Sequence, residues 1–133
     1  MTAPTQARPV VLVSGAARRI GAVIAQTLHA AGHDLALHCR NSRDDLDQLI
    51  AKLERERPNS TLALQADLSD LTQMPALIEA TMQRFGRLDG LVNNASDFFA
   101  TAFGSVTFEQ WDRLFASNAR APFFLAQAAA PQL

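Results

Sequence analysis

Ser14-Gly15-Ala16-Ala17-Arg18-Arg19-Ile20-Gly21 is the stretch on which the reading of this chain turns. It follows a β-branched run at residues 10–13, which reads as a buried strand, and it precedes an apolar period carried by Ile20, Val23, Ile24, Thr27, Leu28 and Ala31. A strand entering a helix through two glycines has a specific physical use. The first glycine permits the sharp turn out of the strand, and the first-turn N–H groups of the helix are left without partners. The helix dipole adds about half a positive charge at the same place, so a diphosphate is favoured there. Gly21 lets the helix lie close to the sheet, and Arg19 stands at the middle position of the usual glycine triplet, where its guanidinium can reach phosphate or substrate. An ordinary strand-to-helix turn is the alternative; its place after the first apolar strand favours the dinucleotide reading.

Outward from this turn the pattern repeats. Residues 35–39 form a second apolar strand. Ser42 and Asp45 have the spacing of a capping box before a helical stripe of Leu46, Leu49, Ile50 and Leu53. Pro58-Asn59-Ser60 is a turn, and residues 61–66 read as a third strand. Ser69 or Asp70 caps a helix bearing Leu71, Met74, Leu77, Ile78 and Phe85, closed by Gly86. Residues 88–92 form a fourth strand. Thr107 and Gln110 make a second capping-box pair, opening a last helix through Trp111, Leu114 and Phe115. Strands alternating with helices predict an α/β, doubly wound parallel sheet of the Rossmann type with about four strands. One domain is expected at 10–133, with residues 1–9 as a flexible tail.

Composition excludes several classes. The chain has 133 residues, 48% hydrophobic and 19% charged, with a net charge of −1. No basic block is present, so nucleic-acid and polybasic membrane binding are not expected. Cys39 is the single cysteine, and with His29, His33 and His38 it makes no metal-ligand spacing. No signal-like or membrane-length apolar run occurs, and a cytoplasmic protein is expected.

Four further places carry chemistry. At the end of the second strand, Cys39-Arg40-Asn41-Ser42 has no acid where a ribose hydroxyl would be bound. Arg40 there favours a 2′-phosphate, hence NADP(H) over NAD(H), the alternative being a solvated loop arginine. Asp67, with Leu68 beside it, follows the third strand and either accepts from an adenine amino group or belongs to the next helix cap. Asn93-Asn94-Ala95-Ser96 ends the fourth strand and can brace a loop over the cofactor; of Phe98 and Phe99 after it, Phe98 either faces a ligand or packs under the loop. Asn118 shares a helical face with Trp111, Leu114 and Phe115. Pro122, four residues on, has no N–H for the Asn118 carbonyl, which either holds a water or marks a simple kink.

Together these pieces resemble the short-chain dehydrogenase/reductase family over residues 10–133, and within it the pteridine reductases. The likeness rests on Arg19 for the middle glycine, on His38-Cys39-Arg40-Asn41-Ser42, on Gln65-Ala66-Asp67-Leu68, and on Asn93-Asn94-Ala95-Ser96 followed by Phe98. It implies NADPH held by Gly15, Arg19, Ile20, Gly21, His38, Arg40, Asn41, Ser42, Asp67, Leu68, Asn94, Ala95 and Ser96. It implies a pterin-like small-molecule substrate met by Arg19, Ser96 and Phe98. Asn118 matches the family's catalytic asparagine, whose main-chain carbonyl holds a water of the proton relay. The family's Tyr-x-x-x-Lys has no counterpart here, since the chain contains no tyrosine and Lys52 is its only lysine, on an unrelated helix. These residues are therefore expected to be the N-terminal half of a longer protein, needing its own C-terminal half. An apolar edge at the fourth strand and an all-round apolar stretch from Pro122 point the same way. A homo-oligomer, a tetramer, is also expected, with its contact through the last helix, whose second half has too much apolar surface for one core. Two other functions remain open: a different short-chain reductase, such as one acting on 3-oxoacyl thioesters, and a non-catalytic NADP-binding sensor.

Overall fold

The computed structural model describes residues 7–133. Of the expected tail, residues 1–6 lie outside the described residues. Arg8 and Pro9 are exposed, and the Pro9 carbonyl accepts from the Asp34 N–H at 2.9 Å.

Four parallel strands, β1 (Val10–Val13), β2 (Asp34–Cys39), β3 (Thr61–Gln65) and β4 (Gly90–Val92), lie in the order β3-β2-β1-β4. Helices α1 (Arg19–Ala30) and α2 (Arg43–Glu56) connect the first three strands, and α3 (Met74–Phe85) connects β3 to β4. Strand alternation explains the layers. Val11, Val13, Leu35 and Leu37 pack with Ala25, Leu46, Leu49 and Leu53, so α1 and α2 cover one face. Leu12, Ala36 and Leu64 pack with Leu77, Ile78 and Leu125 on the other. Each such leucine contributes about 1.5–3 kcal/mol by leaving water. The chain leaves β1 toward β2 on one side and returns to β4 on the other. The strand order thus reverses beside the carboxyl end of β1, which is where ligands bind in such sheets.

Several expectations are revised. The buried face of α1 is Gly21, Ala25 and His29, while Ile20 and Val23 are largely exposed. Small residues face the sheet because α1 approaches it closely, which rotates the expected stripe outward. The Ser42–Asp45 capping box does not form. Ser42 is the N-cap of α2 without a side-chain bond, and the Asp45 carboxylate instead pairs with Arg18 of the glycine turn. β4 is shorter than expected because Asp89 replaces the ladder: its N–H donates to the Val10 carbonyl at 2.8 Å and its carboxylate accepts from the Val10 N–H at 2.8 Å. Asp70, not Ser69, is the cap, accepting from Thr72 N–H at the 3-10 turn that precedes α3. Gly86 closes α3 at φ 75°.

The last helix is three pieces. Thr107 and Gln110 make the full capping box that opens α4 (Phe108–Phe115). A π-helical segment, Ala116–Arg120, follows, and then α5 (Ala121–Ala129), with Pro122 in its first turn. Pro122 cannot donate to the Asn118 carbonyl, and the backbone widens by one residue just ahead of it. Ala121, Leu125 and Ala129 of α5 are buried against the α3 side of the sheet. Among the described residues no helix is long and apolar enough to cross a membrane, and no three His, Cys, Asp or Glu side chains cluster as metal ligands.

Candidate functional site

The turn after β1 is assembled from three separate parts of the chain. Ser14, fully buried, accepts at its hydroxyl from the N–H groups of Asn94 and Ala95, both at 3.0 Å. It also donates to the Val92 carbonyl at 3.4 Å. The Asn94 amide donates to the Gly15 carbonyl at 2.9 Å. From the other side the Gly15 N–H donates to Nδ1 of His38 at 3.1 Å, and Nε2 of His38 lies 2.9 Å from the Ala66 carbonyl. A ring that accepts at Nδ1 and donates at Nε2 is a neutral imidazole, and its burial pushes its pKa below the ordinary 6.5. His38 was expected beside the cofactor. It is buried behind the turn and holds its shape, outside the cleft.

Both glycines are required by space. Gly15 has φ 63° and its α-carbon faces the backbone of Ala95 at a distance no side chain would fit. A Cβ on Gly21 would fall on the Gly15 carbonyl and the Asn94 amide. Arg19, between them, is left-handed as well, with φ 51°, at the position where glycine is the unstrained residue. A non-glycine residue there costs about 1–2 kcal/mol, against about 0.5–1 kcal/mol that a glycine loses in chain entropy. Arg19→Gly is therefore expected to raise stability by about 0.5–1 kcal/mol in equilibrium urea unfolding. An unchanged or lower midpoint would show that the arginine side chain offsets the strain through contacts of its own.

The opening of α1 has an extended Arg18 as N-cap and no side-chain cap, so its first-turn N–H groups face outward uncapped. They open on a cleft of about 520 Å3 between the ends of β1, β3 and β4. Its lining includes Gly15, Arg19, Ile20, Gly21, Arg40, Asp67, Leu68, Asn94, Ala95 and Ser96, all expected from the sequence. It also includes Arg18, Ser69, Asp97, Arg113 and Ser117, which were not. Asn41 and Ser42 lie outside the lining. So does Phe98, which is 88% exposed.

Asp67 is held by its neighbour: Oδ1 accepts from the hydroxyl of Ser69 at 2.7 Å and from its N–H at 3.0 Å. These bonds lower the Asp67 pKa from the usual carboxylate range, aided by the charge of Arg40. The group is thus an anionic acceptor at the cleft wall, with Asp70 taking the capping role. Asn118 lies outside the lining, and its side chain clamps the loop after β4: Oδ1 accepts from Asp97 N–H and Nδ2 donates to the Asp97 carbonyl, both at 2.9 Å. The face that Asn118 shares with Trp111 and Phe115 is exposed rather than buried, so these two hydrogen bonds tie the helix to the loop and do not answer a need created by burial. Asp97 in turn accepts from Arg113 Nε at 2.8 Å, and Arg113 lies 4.9 Å over the ring of Phe99. Nothing in the spacing of 97 and 113 signalled this cluster, because α4 turns back on the loop only through the fold.

The comparisons agree with this architecture. The family model described as short chain dehydrogenase matches residues 9–133. Pteridine reductase 1 of Leishmania tarentolae is 37% identical, over 99% of this chain and 56% of its own length. A 3-oxoacyl-acyl-carrier-protein reductase of Staphylococcus aureus is 30% identical, over 92% of this chain and 49% of its own. The crystal structure of a Brucella melitensis short-chain dehydrogenase/reductase superposes with TM-score 0.88 at 30% identity, covering 96% of this chain and 51% of that one. The chain spans about half the length of these relatives. With the strand order, the uncapped opening of α1 and the match over nearly all its residues, the chain belongs to the short-chain dehydrogenase family.

Proposed function

We propose that this chain is the nucleotide-binding half of an NADPH-dependent reductase acting on a pterin-like ring. The observation that carries the reading is Arg40: it is exposed at the carboxyl end of β2, lines the cleft, and occupies the place where an acid would repel a 2′-phosphate. The residues fit such a cofactor. The cradle between Gly15 and Gly21 has no room for a Cβ, and the uncapped first turn of α1 presents donors that a diphosphate satisfies. When bound, the nicotinamide supplies a hydride. Arg40 then binds the 2′-phosphate, the Asp67 carboxylate accepts from the adenine amino group, and Leu68 packs beside it. Arg19 and Ser96 contact phosphate and substrate, and the exposed Phe98 ring closes on the flat substrate. Asn118, by its likeness to the family's asparagine, positions a proton-relay water at its main-chain carbonyl. The same reading makes the protein a cytoplasmic homo-oligomer, a tetramer, of subunits completed by a C-terminal half.

The test is a titration of the full-length protein with NADPH and NADH, followed by NADPH oxidation with a dihydropterin. NADPH is expected to bind more tightly, and Arg40→Ser to weaken it by about 10–100-fold while leaving NADH unchanged. Tighter NADH binding, or no oxidation with any pterin, overturns the reading. The similarity to a 3-oxoacyl-acyl-carrier-protein reductase, together with the place of Phe98 outside the cleft lining, favours a second substrate class, the 3-oxoacyl thioesters. Turnover of a thioester, unaffected by Phe98→Ala, would establish that class instead.

A further inference from the structure

Asp97 stands between two arginines that line the cleft. Its Oδ2 accepts from Arg113 Nε at 2.8 Å and lies 3.9 Å from Nη1 of Arg40. Arg40 belongs to the end of β2, Arg113 to α4 and Asp97 to the loop after β4, so one carboxylate links three elements across the cleft mouth. The two contacts differ in kind. Arg113 is bound by a directed hydrogen bond and rests on the ring of Phe99. Arg40 is at the outer limit of an ion pair, makes no hydrogen bond to the carboxylate, and has half its side chain exposed.

We propose that Asp97 is an internal anion that competes with the nucleotide's 2′-phosphate for Arg40, and so sets how strongly the cleft discriminates between phosphorylated and unphosphorylated adenosine. The inference rests on the NADP(H) reading above. It assigns the discrimination to a balance of two residues rather than to Arg40 alone.

Three observations support the direction of the effect. Arg40 is not oriented by Asp97, since no directed bond joins them; its backbone is held independently, by Gln65 Nε2 donating to the Arg40 carbonyl at 3.0 Å. Removing the carboxylate therefore removes attraction without removing alignment. Asp97 also stays paired when Arg40 turns to a phosphate, because Arg113 keeps its bond, so the exchange strands no charge. Finally, the loop is fixed through the Asp97 main chain by Asn118, and a change of side chain leaves that clamp in place. The other carboxylate near Arg40, Asp67, feels its charge but has its Oδ1 engaged by Ser69, and among the described residues Asp97 is the carboxylate within ion-pair distance of Arg40.

The experiment uses the full-length protein and two probes that lack the nicotinamide, adenosine 2′,5′-bisphosphate and 5′-ADP, by calorimetry at low and at near-physiological salt. Asp97→Asn is expected to tighten the bisphosphate by about two- to fivefold and to leave 5′-ADP unchanged, the gain shrinking as salt rises. In the Arg40→Ser background the same substitution is expected to have no effect on either probe. Asp97→Ser serves as a second variant with a smaller side chain. If Asp97→Asn and Asp97→Ser weaken both probes alike, the residue only supports the loop and the proposal is overturned. An unchanged ratio of the two affinities overturns it as well. Failure of the underlying reading looks different: the unsubstituted protein would then bind NADH more tightly than NADPH, which differ only in the 2′-phosphate, or bind neither probe.

Discussion

Gly21→Ala is expected to abolish nucleotide binding and to lower stability by about 2–3 kcal/mol. The added methyl would sit on the Gly15 carbonyl and the Asn94 amide, two groups bonded to each other at 2.9 Å. Neither can give way cheaply. Gly15 is backbone, held at its N–H by His38, and Asn94 is bound through its own N–H to Ser14. Relief requires α1 to move off the sheet, which withdraws the uncapped N–H groups from the cleft and breaks the contacts of Ala25 and His29 beneath it. Urea unfolding reads the stability and calorimetry with 5′-ADP reads the binding. A variant that keeps its affinity would show that α1 is not seated as described.

Ser14→Ala is expected to cost about 2–4 kcal/mol, a large effect for one oxygen atom. The hydroxyl is the sole acceptor among the described residues for the N–H groups of Asn94 and Ala95, and each donor left unpaired costs about 1–3 kcal/mol. Ser14→Thr keeps the oxygen and is expected to retain most of the stability, which separates the lost acceptor from a simple loss of volume. Equal destabilisation by both substitutions would remove the hydroxyl's role. The alanine variant should also loosen residues 94–96, which hydrogen exchange at those amides detects.

The layers were legible because each strand and helix carried its own period and punctuation. Gly86 at the left-handed close of α3, and Thr107 with Gln110 at the opening of α4, formed as their spacing required. The glycine turn was legible because Gly15 and Gly21 answer steric demands that only those positions make. What failed to show were features settled by partners distant in sequence. Asp45 has the spacing of a cap and is taken by Arg18. Ile20 and Val23 have the period of a core stripe and lie outside it, because close approach through Gly21 rotates α1. Ser14 heads the glycine turn with no role legible in its spacing, and its duty as a two-donor acceptor depends on a loop that sequence alone does not bring near. His38 matched a cofactor segment and serves the turn from behind. Asp97 and Arg113 meet only once α4 has folded back.

The Ser14 hydroxyl and its acceptor duty to Asn94 span 80 positions of chain. During synthesis at about 5–20 residues per second, the strand and glycine turn therefore wait about 4–16 s before the segment that completes them exists. Through that interval the nascent polypeptide has the nucleotide-binding signature and no pocket. A ligand of the cleft would then steady the finished fold and have no grip on its early biosynthetic intermediates.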